Sequence, residues 1–171
     1  RAFGKSDVII LTGGVSVGDY DHVKEVFKKL GVRNIFWKVR QKPGKPIFFG
    51  KKKQTLVFGL PGNPASVHAC FYQYVYPAIR LLMRHSRAFL EEERITLNHD
   101  VRPDRDKTLF LKARVERKLG ALRVEALGQQ GSHMLSSLCR SHGFIVVPPG
   151  KQILKKGRKV HFQYLPEFVR Q

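Results

Sequence analysis

The chain has 171 residues, 42% of them hydrophobic, with 32 Lys+Arg against 13 Asp+Glu and a formal net charge of +19. That is enough for one large domain or two small ones, with a core that needs no disulfides. Only two cysteines occur and no Cys-x-x-Cys pair, which argues against a zinc site; no apolar run approaches the ~20 residues of a membrane span, and no N-terminal signal pattern is present.

In chain order, "DVIILTGG" (Asp7 to Gly14) reads as a buried parallel strand ending in glycines. In "DHVKEVFKKLG", Val23, Val26, Phe27 and Leu30 fall at helical spacing and Gly31 suits a C-cap. "NIFWKV" predicts a second strand. "PIFFG" and "TLVFGL" flank the turn "KKKQ" as a hairpin or short crossover. From Pro64 to about His85 an apolar stripe (Val67, Cys70, Phe71, Tyr74, Val75, Ile79, Leu82) predicts a long helix, distorted by Pro77. Alternating strands and helices imply a three-layer α/β/α domain over 1–88.

The pattern then changes. "RAFLEEERITLNHDVRPDRDK" is polar and reads as a linker or the first strand of a new unit. The runs "TLFLKARVE", "LRVEAL", "FIVVP" and "KVHFQYL" alternate, with Leu109, Leu111, Ala113 and Val115 on one face and Phe110, Lys112, Arg114 and Glu116 on the other. "HMLSSLCRSH" predicts a short helix. A small antiparallel barrel or sandwich over 89–171 follows. Cys70 and Cys139 both stand in helix-like apolar surroundings and read as buried free thiols of a reducing cytosol.

The net charge calls for an anionic partner. The basic residues are scattered, and neither an RNA-type aromatic–basic signature nor a helix-turn-helix accompanies them. Ligands of open α/β sheets bind where strands lead into helices. "TGGVSVGDYD" and "GLPGNPAS" stand at such points, and each could turn helix-start amides toward an anion. The stiff turn "KPGKP" lies between them. Each piece has a plainer reading. Gly13 and Gly14 would make a tight turn. Asn63 would cap a helix that has Pro64 at its first position. Ser16 and Ser66 would be solvated hydroxyls, and Asp19 or Asp21 a helix cap. Lys42 and Lys45, like Lys51, Lys52 and Lys53, would be turn lysines, and His133 would support its own loop.

The order "TGGVSVGDYD", "KPGKP", "GLPGNPAS", then "GQQGSHMLSSL" resembles the molybdopterin molybdenumtransferase family, which includes MoeA and the E domain of gephyrin. The resemblance implies an enzyme that inserts molybdate into adenylylated molybdopterin and releases AMP, in a cytoplasmic homodimer, with a molybdopterin adenylyltransferase as possible pathway partner. It implies that Gly13, Gly14 and Ser16 line the pterin-phosphate pocket. Lys42 and Lys45 neutralise the anionic substrate, and Gly62, Asn63 and Ser66 shape the far wall. Ser132 handles molybdate, and Asp21, with Asp19, meets metal and molybdate. Magnesium, which takes oxygen ligands and few carboxylates, is the implied cofactor. The place of a family arginine before Phe110 falls on Lys107, with Arg105 nearby. The family's N-terminal domains and the opening strand of its pterin domain have no counterpart ahead of Arg1, so the expectation is a C-terminal portion, inactive alone. Two other readings stand beside the enzyme. A receptor-binding scaffold of gephyrin type would have no need of the Asp21, Lys42 and Lys45 set. A basic nucleic-acid module would lose affinity steeply with salt.

Overall fold

The structure is a computed structural model and describes residues 2–14, 23–118, 120–128 and 138–168. Four strands form the first sheet: β1 (Val8–Thr12), β2 (Arg33–Trp37), β4 (Phe48–Lys52) and β5 (Thr55–Leu60), in the order β1-β5-β4-β2. β1 and β5 run parallel, while β4 pairs antiparallel with both β5 and β2. The expected hairpin at "KKKQ" is therefore the β4–β5 connection.

The period of two along these strands makes a two-faced sheet. Phe48 and Val57 point to α1 (Val23–Lys29), where Phe27 packs at a tilt against Phe48 with ring centroids 4.9 Å apart. Phe58, Leu60 and Phe49 point the other way, into a core with Ile47, Cys70 and Val75. Three layers result. The α1 stripe is narrower than its spacing suggests: Phe27 is buried, but Val26 and Leu30 are 47% and 43% exposed.

The long helix appears as α2 (Pro64–Cys70), a π-helical turn at Phe71–Val75, and α3 (Tyr76–Leu82). The widened turn ends against Pro77, whose ring and missing N–H disturb the α-helical ladder as the sequence predicts. The helix is apolar on more than one side because it has two neighbours. Val67, Cys70, Tyr74 and Ile79 face the sheet, and Ala69, Tyr72 and Tyr76 face the second unit.

That unit is a closed barrel of β6 (Glu92–Leu97), β7 (Thr108–Lys118), β8 (Ala121–Ala126), β9 (Gly143–Val147) and β10 (Lys159–Tyr164). Strand pairing runs β7-β8-β6-β10-β9 and returns from β9 to β7. The barrel is not wholly antiparallel, since β6 and β8 run parallel through Thr96↔Arg123 and Leu97↔Val124. Leu109, Leu111, Ala113 and Val115 enter its core as the alternation predicts, while Phe110 joins the layer between the two units. Lys112, on the outer face with Phe110, is only 4% exposed, and burial lowers its pKa.

The two units share a packed seam. Ala69, Leu90, Phe144 and Leu165 are buried together there. Gln73 Nε2 donates to Gln163 Oε1 at 2.7 Å, and Tyr72 Oη donates to Glu167 at 2.9 Å. A two-residue strand, β3 (Gln41–Lys42), adds to β7 in parallel through Gln41↔Thr108 and Lys42↔Leu109. Of the two cysteines, Cys70 is buried, but Cys139 is exposed, correcting the expectation for the latter. Half of the short helix expected around it, 133–137, falls outside the described residues; of the rest, Leu138 and Cys139 are helical.

Candidate functional site

The two glycine turns meet. Thr12 and Leu60 are the last register pair of β1 and β5, and the Gly13 N–H donates to the Leu60 carbonyl at 2.9 Å. The chain thus leaves both strands at their shared C-terminal end. A Cβ built on Gly62 would stand 3.5 Å from Gly13 Cα. Gly14 backs onto α1, where a Cβ would come within 2.6 Å of Val23 Cγ2.

At the start of α2, Asn63 is the cap its plain reading suggests. Its Oδ1 accepts from the Ala65 and Ser66 amides at 3.0 and 3.3 Å. Those two amides are therefore occupied by the helix's own cap rather than turned outward to an anion. Asn63 and Ser66 are half-buried and Gly62 is exposed.

The "KPGKP" turn lies against the same helix. Gly44 is buried there, with its would-be Cβ 3.5 Å from the Ser66 carbonyl oxygen. Lys42 and Lys45 are exposed on either side of it. The Val39 N–H donates to the Lys45 carbonyl at 3.0 Å, closing the base of the loop. The barrel adds charge to this corner. Asp104 Oδ1 accepts from the Asp106 and Lys107 amides at 3.0 and 3.2 Å. Its pKa is lowered, first by the Asp106 N–H and further by the nearby Lys107 and Lys42 charges. Lys42, Asp104 and Lys107 thus share one electrostatic neighbourhood. Lys107 is half-buried and Arg105 exposed.

A hollow of about 530 Å³ opens beside the glycine turns, with Thr12, Gly62, Val67, His68, Phe71 and Leu138 among its walls. His68 Nδ1 is buried and has no partner among the described residues. Burial lowers the His68 pKa; Glu167 opposes that shift and Lys112 adds to it.

Two family models match the chain: the probable molybdopterin binding domain over residues 1–81, and the MoeA C-terminal region, domain IV, over residues 94–165. The molybdopterin molybdenumtransferase of Haemophilus influenzae is 36% identical over 165 residues, 93% of this chain and 40% of that protein. The molybdenum cofactor synthesis protein cinnamon of Drosophila melanogaster is 37% identical over 144 residues, 83% of this chain and 24% of that protein. The crystal structure of the molybdopterin biosynthesis MoeA protein from Pyrococcus horikosii superposes with a TM-score of 0.69 at 26% identity, covering 93% of this chain and 37% of that one. The chain belongs to the molybdopterin molybdenumtransferase family. It matches a C-terminal portion of its relatives and spans about 40% of the Haemophilus protein's length.

In this family member the structure brings Gly13, Gly14, Gly62 and Asn63 to one sheet end. It lays the turn between Lys42 and Lys45 against α2, with Gly44 at the Ser66 carbonyl, and the Lys42↔Leu109 pairing brings the Lys107 segment of the barrel toward Lys42. Asp19, Asp21, Ser16, Ser132 and His133 lie outside the described residues. Among the described residues no group of three or more His, Cys, Asp or Glu could hold a metal. Lys51, Lys52 and Lys53 sit at the β4–β5 hairpin, at the opposite end of the sheet, where Lys52 Nζ donates to the Leu30 carbonyl at 2.6 Å. They keep the turn-lysine reading. No helix among the described residues is long and apolar enough to cross a membrane.

Sequence reasoning missed the residues behind the cationic loop. Gln41 passes as an ordinary polar residue, and Cys70 and Tyr74 as members of an apolar stripe. The available signal was chemical: Cys70 and Tyr74 each bring a hydrogen-bonding group into an otherwise apolar stripe, and buried polar groups find partners.

Proposed function

We propose that this chain supplies the pterin-nucleotide face and the adjoining barrel of a molybdopterin molybdenumtransferase in molybdenum cofactor biosynthesis. On this reading the substrates are adenylylated molybdopterin and molybdate, and AMP is released. The observation that carries the proposal is the meeting of Gly13 and Gly62 at one sheet end, while Gly44 packs the turn that bears the exposed Lys42 and Lys45 on the helix that starts there. The names of the relatives support it.

The chemistry fits the parts. Both substrates are anions, and glycines at the sheet end let phosphate oxygens approach the backbone closely. Lys42 and Lys45 supply compact positive charge from a short turn, with Lys107 as a third cation from the barrel. On this reading Gly13 and Gly14 form one wall of the pocket and Gly62, Asn63 and Ser66 the other, while Ser16 is assigned to the pterin phosphate and Ser132 to molybdate by their places in "TGGVSVGDYD" and "GQQGSHMLSSL". Asp21, with Asp19, is assigned to magnesium and molybdate by its place in "GVSVGDYD". We divide the chain at 88/89, between the two matched ranges. We further assign the protein to the cytoplasm and to a homodimer, with a molybdopterin adenylyltransferase as its pathway neighbour.

The test is a Lys42→Ala/Lys45→Ala double variant titrated with adenylylated molybdopterin. Binding should weaken, and the loss should be larger at low ionic strength, because exposed charges are screened by salt. Parent-like affinity at low salt would return both lysines to the solvated-turn reading.

A further inference from the structure

Behind the cationic loop lies a closed set of polar side chains. Gln41 is 3% exposed and Cys70 is fully buried, and both face the underside of the turn. Gln41 Nε2 donates to the Pro43 carbonyl at 3.0 Å and lies 3.8 Å from Cys70 Sγ. The Cys70 thiol donates to the Gly44 carbonyl at 3.5 Å. Tyr74, on the π-helical turn, donates its hydroxyl to Gln41 Oε1. Two successive carbonyls of the loop are thus held by side chains, and the amide that holds one is itself oriented by a phenol.

We infer that Gln41, Cys70 and Tyr74 are positioning residues that fix the backbone between Lys42 and Lys45 so that both ammonium groups bear on one bound anion. This rests on the reading of Lys42 and Lys45 as ligand-binding charges.

The geometry favours this over a network that serves stability alone. The acceptors are the carbonyls of Pro43 and Gly44, the residues that separate the two lysines. Long lysine side chains carry little directional information of their own. Their common aim must come from the backbone that bears them, and the side chains beneath the turn hold that backbone at Pro43 and Gly44, between the two lysines. The donors are stable in kind. Burial raises the Cys70 pKa to about 12, so the thiol keeps the proton it donates. Tyr74 is also raised to about 12 by burial and keeps its own. The π turn contributes the spacing: Cys70 just precedes it and Tyr74 lies within it, so both reach the same loop from one helix.

The test uses Tyr74→Phe, which keeps the ring, and the pair Cys70→Ala and Cys70→Ser, of which the serine restores an O–H donor. Two quantities are read in this chain: hydrogen exchange at the Val39 amide, which donates to the Lys45 carbonyl, and affinity for adenylylated molybdopterin. Tyr74→Phe and Cys70→Ala should each speed Val39 exchange and weaken binding roughly fivefold, the worth of about one neutral hydrogen bond. Cys70→Ser should recover most of both. In the Lys42→Ala/Lys45→Ala background, Tyr74→Phe should change affinity little, since the groups it aims are gone. If Tyr74→Phe and Cys70→Ala bind like the parent while the lysine double variant binds weakly, the positioning proposal is overturned and the functional reading survives. If the lysine double variant itself binds like the parent, the functional reading falls and the proposal falls with it. Unchanged Val39 exchange in both network variants overturns the proposal whatever the affinities.

Discussion

His68 of α2 meets Phe144 of β9 edge to face, with ring centroids 5.4 Å apart. One residue belongs to the α/β unit and the other to the barrel, so the contact crosses the seam between them. Phe144 also meets Tyr72 and Phe110, and is 1% exposed. The two units are therefore joined by core-like packing as well as by the short β3–β7 pairing. That matters for function, because the cationic loop belongs to the first unit and Lys107 to the second.

Phe144→Ala should act on both units at once. Emptying a buried aromatic site costs about 3–5 kcal/mol where the surroundings cannot collapse. The urea midpoint should fall accordingly. Barrel and α/β probes should shift together, because Ala69 and Tyr72 lose their partner on one side and Phe110 on the other. A shift confined to barrel probes would show the seam to be incidental.

His68 gives the stability a direction with pH. Its folded pKa lies below 6.5, chiefly through burial. The unfolded chain then binds more protons than the folded one between the folded pKa and 6.5. Stability should fall as pH drops through that window and level off below the folded pKa. His142 is lowered too and adds a slope of the same sign, so the diagnostic is a difference. His68→Phe keeps an aromatic ring at the seam and removes the titration. Thermal midpoints from pH 5 to 7 should decline less steeply for the variant than for the parent. Parallel profiles would mean that His68 is protonated as easily folded as unfolded.

What the sequence made legible follows from local physics. The β4–β5 hairpin, the distortion before Pro77 and the alternation of Leu109, Leu111, Ala113 and Val115 each depend on residues close together in the chain. The Asn63 cap was legible for the same reason. What stayed hidden depends on distant partners. The parallel β6–β8 closure joins strands separated by the whole of β7. The exposure of Val26 and Leu30 depends on what lies against α1, which helical spacing does not specify. Cys139 lies on a short exposed segment despite its apolar neighbours. For the candidate site, motif order located the glycine turns and the lysine pair. It did not reveal that Gln41 and Tyr74 meet beneath the loop, because Gln41 stands outside every predicted element and Tyr74 reads as part of an apolar helical stripe. Asp21 and Ser132 lie outside the described residues, and their assignment rests on the resemblance.

Gly44 and Gly157 offer a controlled comparison. Their φ angles are +89° and +88°, a region that side chains with a Cβ avoid. At Gly157 a Cβ would meet nothing within 4 Å, whereas at Gly44 it would drive into Cys70 Sγ and stand 2.9 Å from Gln41 Nε2. Gly157→Ala should therefore cost only the backbone term, about 1 kcal/mol. Gly44→Ala should cost about 1–3 kcal/mol more from overpacking. It should also disturb the loop, seen as faster exchange at Val39. Equal destabilisation in urea would mean that the loop moves aside freely.

Asp104 is a carboxylate beside the proposed anion site, and its charge opposes the function assigned to Lys42 and Lys107. Its role in the turn is separable from its charge. Oδ1 accepts from the Asp106 and Lys107 amides, and an asparagine oxygen can accept both bonds. Asp104→Asn should leave the fold and the place of Lys107 unchanged while removing one negative charge from the cationic corner. Affinity for adenylylated molybdopterin should rise roughly twofold at low ionic strength, the scale of a single exposed charge pair. The gain should fade at ionic strengths of about 0.15 M and above, where charges farther apart than about 8 Å are screened. Weaker binding in Asp104→Asn would give the carboxylate a direct part in holding the ligand or a metal, and would move the electrostatic centre of the site away from the lysine pair.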